Sequence, residues 1–229
     1  MISRHRVKTW PAVLVTVFIL LFSAPHGSLS DEHLLVLVDP SAPIEEVWTH
    51  RKFGVPTEYR RVEVDGTPYI RAIGRNSASG LYREVIFRPD EYPWLEWTWR
   101  VDKLQQTADI RTKAGEDLAA AIFLLFGRPG WFRPEVPTLV YVWTNDKLPK
   151  GAVVLSPYHS GTVRAIVLES GTENLGQWVS VRRNVVEDYL TAFGEEPPDA
   201  VEMIALWSDN DQTGEPVETY YGAIRALKE

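Results

Sequence analysis

The stretch YPWLEWTWRV, Tyr92–Val101, decides the fold. Side chains alternate along a β-strand, so Leu95, Trp97, Trp99 and Val101 share one face. Trp94, Glu96, Thr98 and Arg100 share the other. The first set is uniformly large and apolar, and the second is mixed. A period of two with one apolar face predicts a strand packed on a core, with Trp97 and Trp99 inside. Trp94 stands apart. Its face, shared with an acid and a base, is either ordinary sheet surface or one wall of a sugar groove. In a groove the ring would stack on the ligand while polar neighbours hydrogen-bond to it.

The same texture extends in both directions. Short runs rich in Val, Ile, Tyr, Trp and Leu occur at 34–39, 81–87, 118–126, 138–144, 163–169, 177–183, 201–208 and 219–227. Gly, Pro, Asn and Asp separate them. YRRVEV-DG-TPYIRAIG predicts a hairpin, because Asp65-Gly66 readily adopts the positive φ angles of a tight turn. Many short strands with turns between them indicate an all-β sandwich rather than βαβ units. One helix is expected near 185–193. Asn184 can cap VVEDYLTAF, Glu187 sits at its third position, and Gly194 follows the last apolar residue. GRPGWFRPEVP (127–137) reads as a surface loop. Its Trp131 and Phe132 either cap the sandwich or offer a contact to a protein partner.

The first thirty residues differ in kind. Arg4, Arg6 and Lys8 precede the apolar run WPAVLVTVFILLF, and Ser28 and Ser30 end a small-residue exit. This is the pattern of a secretory signal peptide over 1–30, followed by one sandwich domain over 31–229. The alternative is an uncleaved membrane anchor, but the apolar run is shorter than the roughly 20 residues of a membrane-spanning helix. The expected location is periplasmic or extracellular, with no stable membrane span once the leader is cleaved. The leader holds three basic residues and no acidic ones, so its loss takes the net charge from −7 to −10. Such a surface repels a phosphate backbone, and nucleic acid is not an expected partner. With no cysteine there are no disulfides, thiolate metal sites or cysteine nucleophiles.

Two clusters carry candidate chemistry. In ADIRTKAGEDLAA, Arg111, Lys113, Glu116 and Asp117 crowd the start of a very apolar strand. They are either a rim network of ion pairs or a polar site in which Arg111 and Lys113 hold an anionic or hydroxyl-rich ligand. In WSDNDQTGEP, Asp209, Asp211 and Thr213 alternate before Gly214, as at the start of a calcium loop. A calcium loop of the EF-hand type would carry glutamate where this chain has Tyr220. The alternative is a turn in which Asp and Asn side chains bond their own backbone. No cofactor is expected beyond a structural calcium. Hydrolase nucleophile elbows, Walker loops and dinucleotide glycine fingerprints are absent from the sequence. His33, His50 and His159 lack metal-ligand spacing. Glu96, Glu169 and Asp209 are carboxylates of a kind a glycosidase pair needs, but their separation decides the chemistry.

SASGLYREV, YPWLEWTWRVDKL, ADIRTKAGEDLAA, LVYVWTN, VLESG, GQWVSVRRNVVEDYLTAFG and SDNDQTGEPVETYYGAI follow one another in this order. Together they resemble the bacterial domain of unknown function 3047, over about residues 45–227. The resemblance implies a jelly roll of the galactose-binding-like or carbohydrate-binding-module kind. It also points to Arg111, Lys113, Asp117, Arg183, Asn184, Asp209, Asp211 and Thr213 as site residues. It implies an acid after Gly222, where this chain has Ala223.

The functional expectation is a non-catalytic module binding a glycan or similar polar ligand of the cell envelope. Its ligand-binding residues would be Arg111, Lys113, Asp117, Trp94, Arg183 and Asn184, and its metal ligands Asp209, Asp211 and Thr213. This reading expects Trp94, Tyr141 or Trp143 to be exposed beside Arg111 in one concavity. The alternatives are an enzyme that cleaves a saccharide or envelope polymer with carboxylates, and a protein-interaction role. A strongly shifted carboxylate pKa in a cleft would favour the enzyme. A large exposed apolar patch without a polar pocket would favour the interaction role.

Overall fold

Leu95, Trp97, Trp99 and Val101 are all buried in the computed structural model, and the residues alternating with them are half-exposed. The structure describes residues 33–130 and 135–229. The expected leader at 1–30 and the pair Trp131 and Phe132 lie outside the described residues.

In chain order the elements are β1 (Leu34–Val38), α1 (Ile44–Val47), β2 (Thr49–Lys52), β3 (Glu58–Val64), β4 (Thr67–Gly74) and β5 (Ser79–Phe87). There follow β6 (Trp94–Lys103), β7 (Ala120–Phe126), β8 (Thr138–Thr144), β9 (Val153–Leu155) and β10 (Val163–Ser170). The chain closes with β11 (Val179–Asn184), α2 (Val185–Phe193), β12 (Val201–Trp207) and β13 (Val217–Leu227). They form a two-sheet jelly-roll sandwich. One sheet runs β11-β6-β13-β4-β3, with β1 beside β13; the other runs β2-β5-β12-β7-β8-β10-β9. Strand pairs are antiparallel except β8 with β10, which run parallel because the short β9 intervenes in the chain and pairs on the far side of β10.

Every run expected to be a strand is one. The hairpin turns at Asp65 (φ 52°) and Gly66 (φ 76°), the paired positive angles that its dipeptide predicts. The sequence reading missed β2 and β9. Both are edge strands of three or four residues, too short for alternation to register.

The sheets meet through aromatic pairs. Trp97 packs against Tyr141 at 5.2 Å and Trp99 against Trp143 at 6.0 Å between ring centroids. Helix α2 closes one end as its local sequence predicts. The Asn184 side chain accepts from the amides of Val186 (3.1 Å) and Glu187 (3.2 Å), and Gly194 ends the helix at φ 80°. The helix is fastened to both sheets through Asp188. That carboxylate accepts from the Arg183 guanidinium (Nε, 2.8 Å) on β11 and from the Tyr141 hydroxyl (2.8 Å) on β8.

Candidate functional site

Strands β7 and β8 are apolar on both faces. Ile122, Leu124, Tyr141 and Trp143 fill the core between the sheets, while Ala121, Val140 and Val142 belong to a second buried cluster on the outer side. An antiparallel sheet with one face in water alternates apolar with polar, so an apolar outer face marks a surface that something covers. Here the covering is partial. The loops 104–118 and 208–213, with β9 and the turn that leads from it to β10, rise around the outer face and leave a cleft of about 380 Å³.

Five aromatic side chains converge on this cleft: Phe53, Tyr82, Phe123, Tyr158 and Trp207. Trp207 is the hub. Its ring lies 5.4 Å from Phe53, 5.9 Å from Phe123 and 6.2 Å from Tyr82. Strand order explains the convergence: β2, β5, β12 and β7 are consecutive in the sheet although their residues are far apart in the chain. The backbone at Gly80 accommodates Trp207. A Cβ there would stand 2.4 Å from the indole Cε3 and 3.2 Å from the Leu206 carbonyl.

Carboxylates line one end of the cleft: Glu116, Asp209 and Asp211, with Asp117 behind them. Asp117 is buried and accepts from the amides of Gln212 (3.1 Å) and Thr213 (2.7 Å). Asp209, also buried, accepts from the Leu118 amide (2.7 Å). These bonds tie the loop before β7 to the turn after β12. Among the described residues no lysine or arginine forms an ion pair with any of the four. Burial first, then the charges of Asp117 and Asp211, push the Glu116 carboxyl up to about 7. Burial likewise raises Asp209 well above the usual carboxylate range, and raises Asp211. Gln212 adds a buried Oε1 that has no hydrogen-bond partner among the described residues.

The expected site residues fall into two groups. Asp117, Asp209 and Asp211 come together, with one oxygen or another of each within 4.8 Å of the others. Thr213 contributes its amide to Asp117, while its hydroxyl accepts from the Glu215 amide (3.2 Å). The segment folds as a turn, closed by Gly214 N–H to the Asn210 carbonyl (2.8 Å). The oxygen set is of the kind calcium takes, but three carboxylates fall short of its usual six to eight ligands. Lys113 reaches the rim, its ammonium 5.2 Å from the Tyr158 ring. Arg111 is held outward by a two-point pair with Asp109, both contacts at 2.8 Å.

Trp94, Arg183 and Asn184 lie at the other end of β6, a ten-residue strand whose ends are roughly 30 Å apart. Trp94 carries the Arg182 guanidinium over its ring at 4.6 Å. Arg183 and Asn184 serve helix α2 as described above. Tyr141 and Trp143 are fully buried in the core, so neither is exposed beside Arg111. The concavity expected around Trp94, Tyr141 or Trp143 is replaced by one around Trp207. Glu96 pairs with Arg182 (3.4 Å) on the six-stranded sheet, and Glu169 with Lys150 (2.7 Å), so only Asp209 of the three glycosidase candidates reaches the cleft. Ala223 lines a separate hollow on the six-stranded sheet, beside Glu96 and Arg182. His159 lines the cleft and meets Glu135 at 3.0 Å.

The chain belongs to the DUF3047 family. The family profile, described as a protein of unknown function, matches residues 46–225. No curated protein matches the sequence. Distantly similar solved structures include the family 30 carbohydrate-binding module of the cellulosomal cellulase Cel9D-Cel44B of Clostridium thermocellum. It is 12% identical with a TM-score of 0.41, over 80% of this chain and 92% of the module. A structure from a comparison of family 12 glycoside hydrolases is 11% identical with a TM-score of 0.45, over 82% of this chain and 96% of the other. The glycoside hydrolase domain of Endo-D from Streptococcus pneumoniae R6 is 7% identical with a TM-score of 0.41, over 80% of this chain. This DUF3047 chain spans only 22% of that chain's length. Among the described residues no helix is long and apolar enough to cross a membrane.

Proposed function

We propose that this DUF3047 protein is an exported glycan-binding module whose site is the cleft centred on Trp207. The observation that carries this reading is the convergence of five aromatic side chains with a polar rim in one cleft. Sugar rings present C–H faces that stack on aromatic rings and hydroxyls that hydrogen-bond to a polar rim. Export rests on the leader pattern at 1–30, and the intact mass of protein recovered outside the cytoplasm tests it.

Binding is tested by pull-down of the purified chain with insoluble polysaccharides and peptidoglycan sacculi. Wild type should be retained, Trp207→Ala should not, and Trp94→Ala should behave as wild type because Trp94 lies at the other end of β6. Failure of wild type to bind any polymer removes the proposal. Loss with Trp94→Ala but not with Trp207→Ala moves the site to the other end.

A second reading has one observation in its favour. Glu116 holds its proton up to about pH 7, beside other carboxylates in an aromatic cleft. A carboxylic acid poised near neutrality is what general-acid cleavage of a glycosidic bond uses. Release of reducing ends from the same polymers, abolished by Glu116→Gln, would establish it. Binding without release would leave the module non-catalytic.

A further inference from the structure

We propose that the saccharide taken by this cleft carries free amino groups, with its ring on Trp207 and its ammonium among the carboxylates of Glu116 and Asp211. The proposal rests on the glycan-binding reading and names the ligand's chemistry.

Charge carries the first part of the argument. Glu116, Asp209 and Asp211 open on one cleft, and no ion pair from the described residues compensates them. The cationic and titratable neighbours are otherwise engaged. Lys113 lies over the Tyr158 ring, Arg51 over Tyr82 at 4.8 Å, Arg111 pairs with Asp109, and His159 meets Glu135. A ligand bringing a uronate or phosphate would add like charge to this end of the cleft. A ligand bringing an ammonium supplies the missing opposite charge.

Hydrogen-bonding capacity carries the second. At the acidic end the free capacity is for accepting, on Glu116, Asp211 and the orphaned Gln212 Oε1. An ammonium offers three donors and no acceptor, whereas an acetylated amine brings a carbonyl oxygen to face other oxygens. The rings supply the third part. Indole and phenol faces attract cations, and the protein already places cations of its own over Tyr82 and Tyr158. The ring of Trp207 adjoins both the acids and the other aromatics, so one amino sugar can meet both at once.

The test is calorimetric titration of the chain with three oligosaccharides of equal length, at about pH 7, where about half of Glu116 is ionised and a free amine is still largely protonated. They are a glucosamine oligomer, its N-acetylated counterpart and a glucose oligomer. The glucosamine oligomer should bind about tenfold tighter than the other two. Glu116→Gln with Asp211→Asn, which conserve side-chain size, should bring the three affinities to parity. Equal affinities in the wild type would overturn the amino-sugar inference and leave the glycan reading standing. Absence of binding by all three would overturn both. A parallel melting series with calcium chloride closes the remaining route: if calcium raises the melting temperature and the glucosamine oligomer does not, the acidic end serves a metal and the inference fails.

Discussion

Glu116 shows how one residue records the design of the cleft. Its carboxyl is pushed from 4.5 to about 7 by burial and by the charges of Asp117 and Asp211. A carboxyl whose pKa rises on folding favours the folded state below its unfolded value, and that contribution is lost as pH climbs through the folded value. Glu116→Gln should therefore stabilise the protein by about 1–3 kcal/mol at pH 8 and change little at pH 4. Melting curves at the two pH values check this, and an equal effect at both would refute the cause assigned here. Asp188 acts through its hydrogen bonds instead. It is buried and accepts from both the Arg183 guanidinium and the buried Tyr141 hydroxyl. Asp188→Ala strands two donors and should cost about 2–4 kcal/mol in urea unfolding.

At the scale of the element, strand β5 supports the cleft through a missing side chain. Gly80 sits opposite Trp207 in the β5–β12 register, and a Cβ there would stand 2.4 Å from the indole. Gly80→Ala must displace the ring or the backbone of β12. The expected outcome is a folded protein that loses retention on the polymer, read by pull-down beside circular dichroism. Retention equal to wild type would show that Trp207 is not the platform. Helix α2 was legible because a cap, a third-position carboxylate and a terminal glycine are all local. Strand β7 was legible as a strand, but its second face was not read. AAIFLLF lacks polar alternation, and in an antiparallel sheet that absence is itself a sign of a covered or ligand-binding surface. That sign would have drawn attention to Phe123 and its neighbours.

For the whole molecule, alternation revealed the sandwich because burial repeats every second residue along each strand. The cleft stayed hidden because it is assembled by strand order, which no local pattern encodes. Phe53, Tyr82, Phe123 and Trp207 sit on or beside four strands that are adjacent only in the folded sheet. The acidic end was partly legible, since Asp117, Asp209 and Asp211 stood in two unusual stretches, yet nothing in the sequence placed those stretches side by side. The same assembly makes the sandwich a single cooperative unit. One core cluster takes side chains from both sheets and from α2, and Trp97–Tyr141 and Trp99–Trp143 bridge its middle. Neither sheet can keep its inner face from water alone. Far-ultraviolet circular dichroism, which reports the strands, and near-ultraviolet signals, which report the packed tryptophans, should lose intensity at one shared urea midpoint. Trp99→Ala, at the centre of that core, should move both midpoints down together, by about 3–5 kcal/mol of stability. Separate midpoints would mean that one sheet survives without the other, and the shared core would not be what holds them.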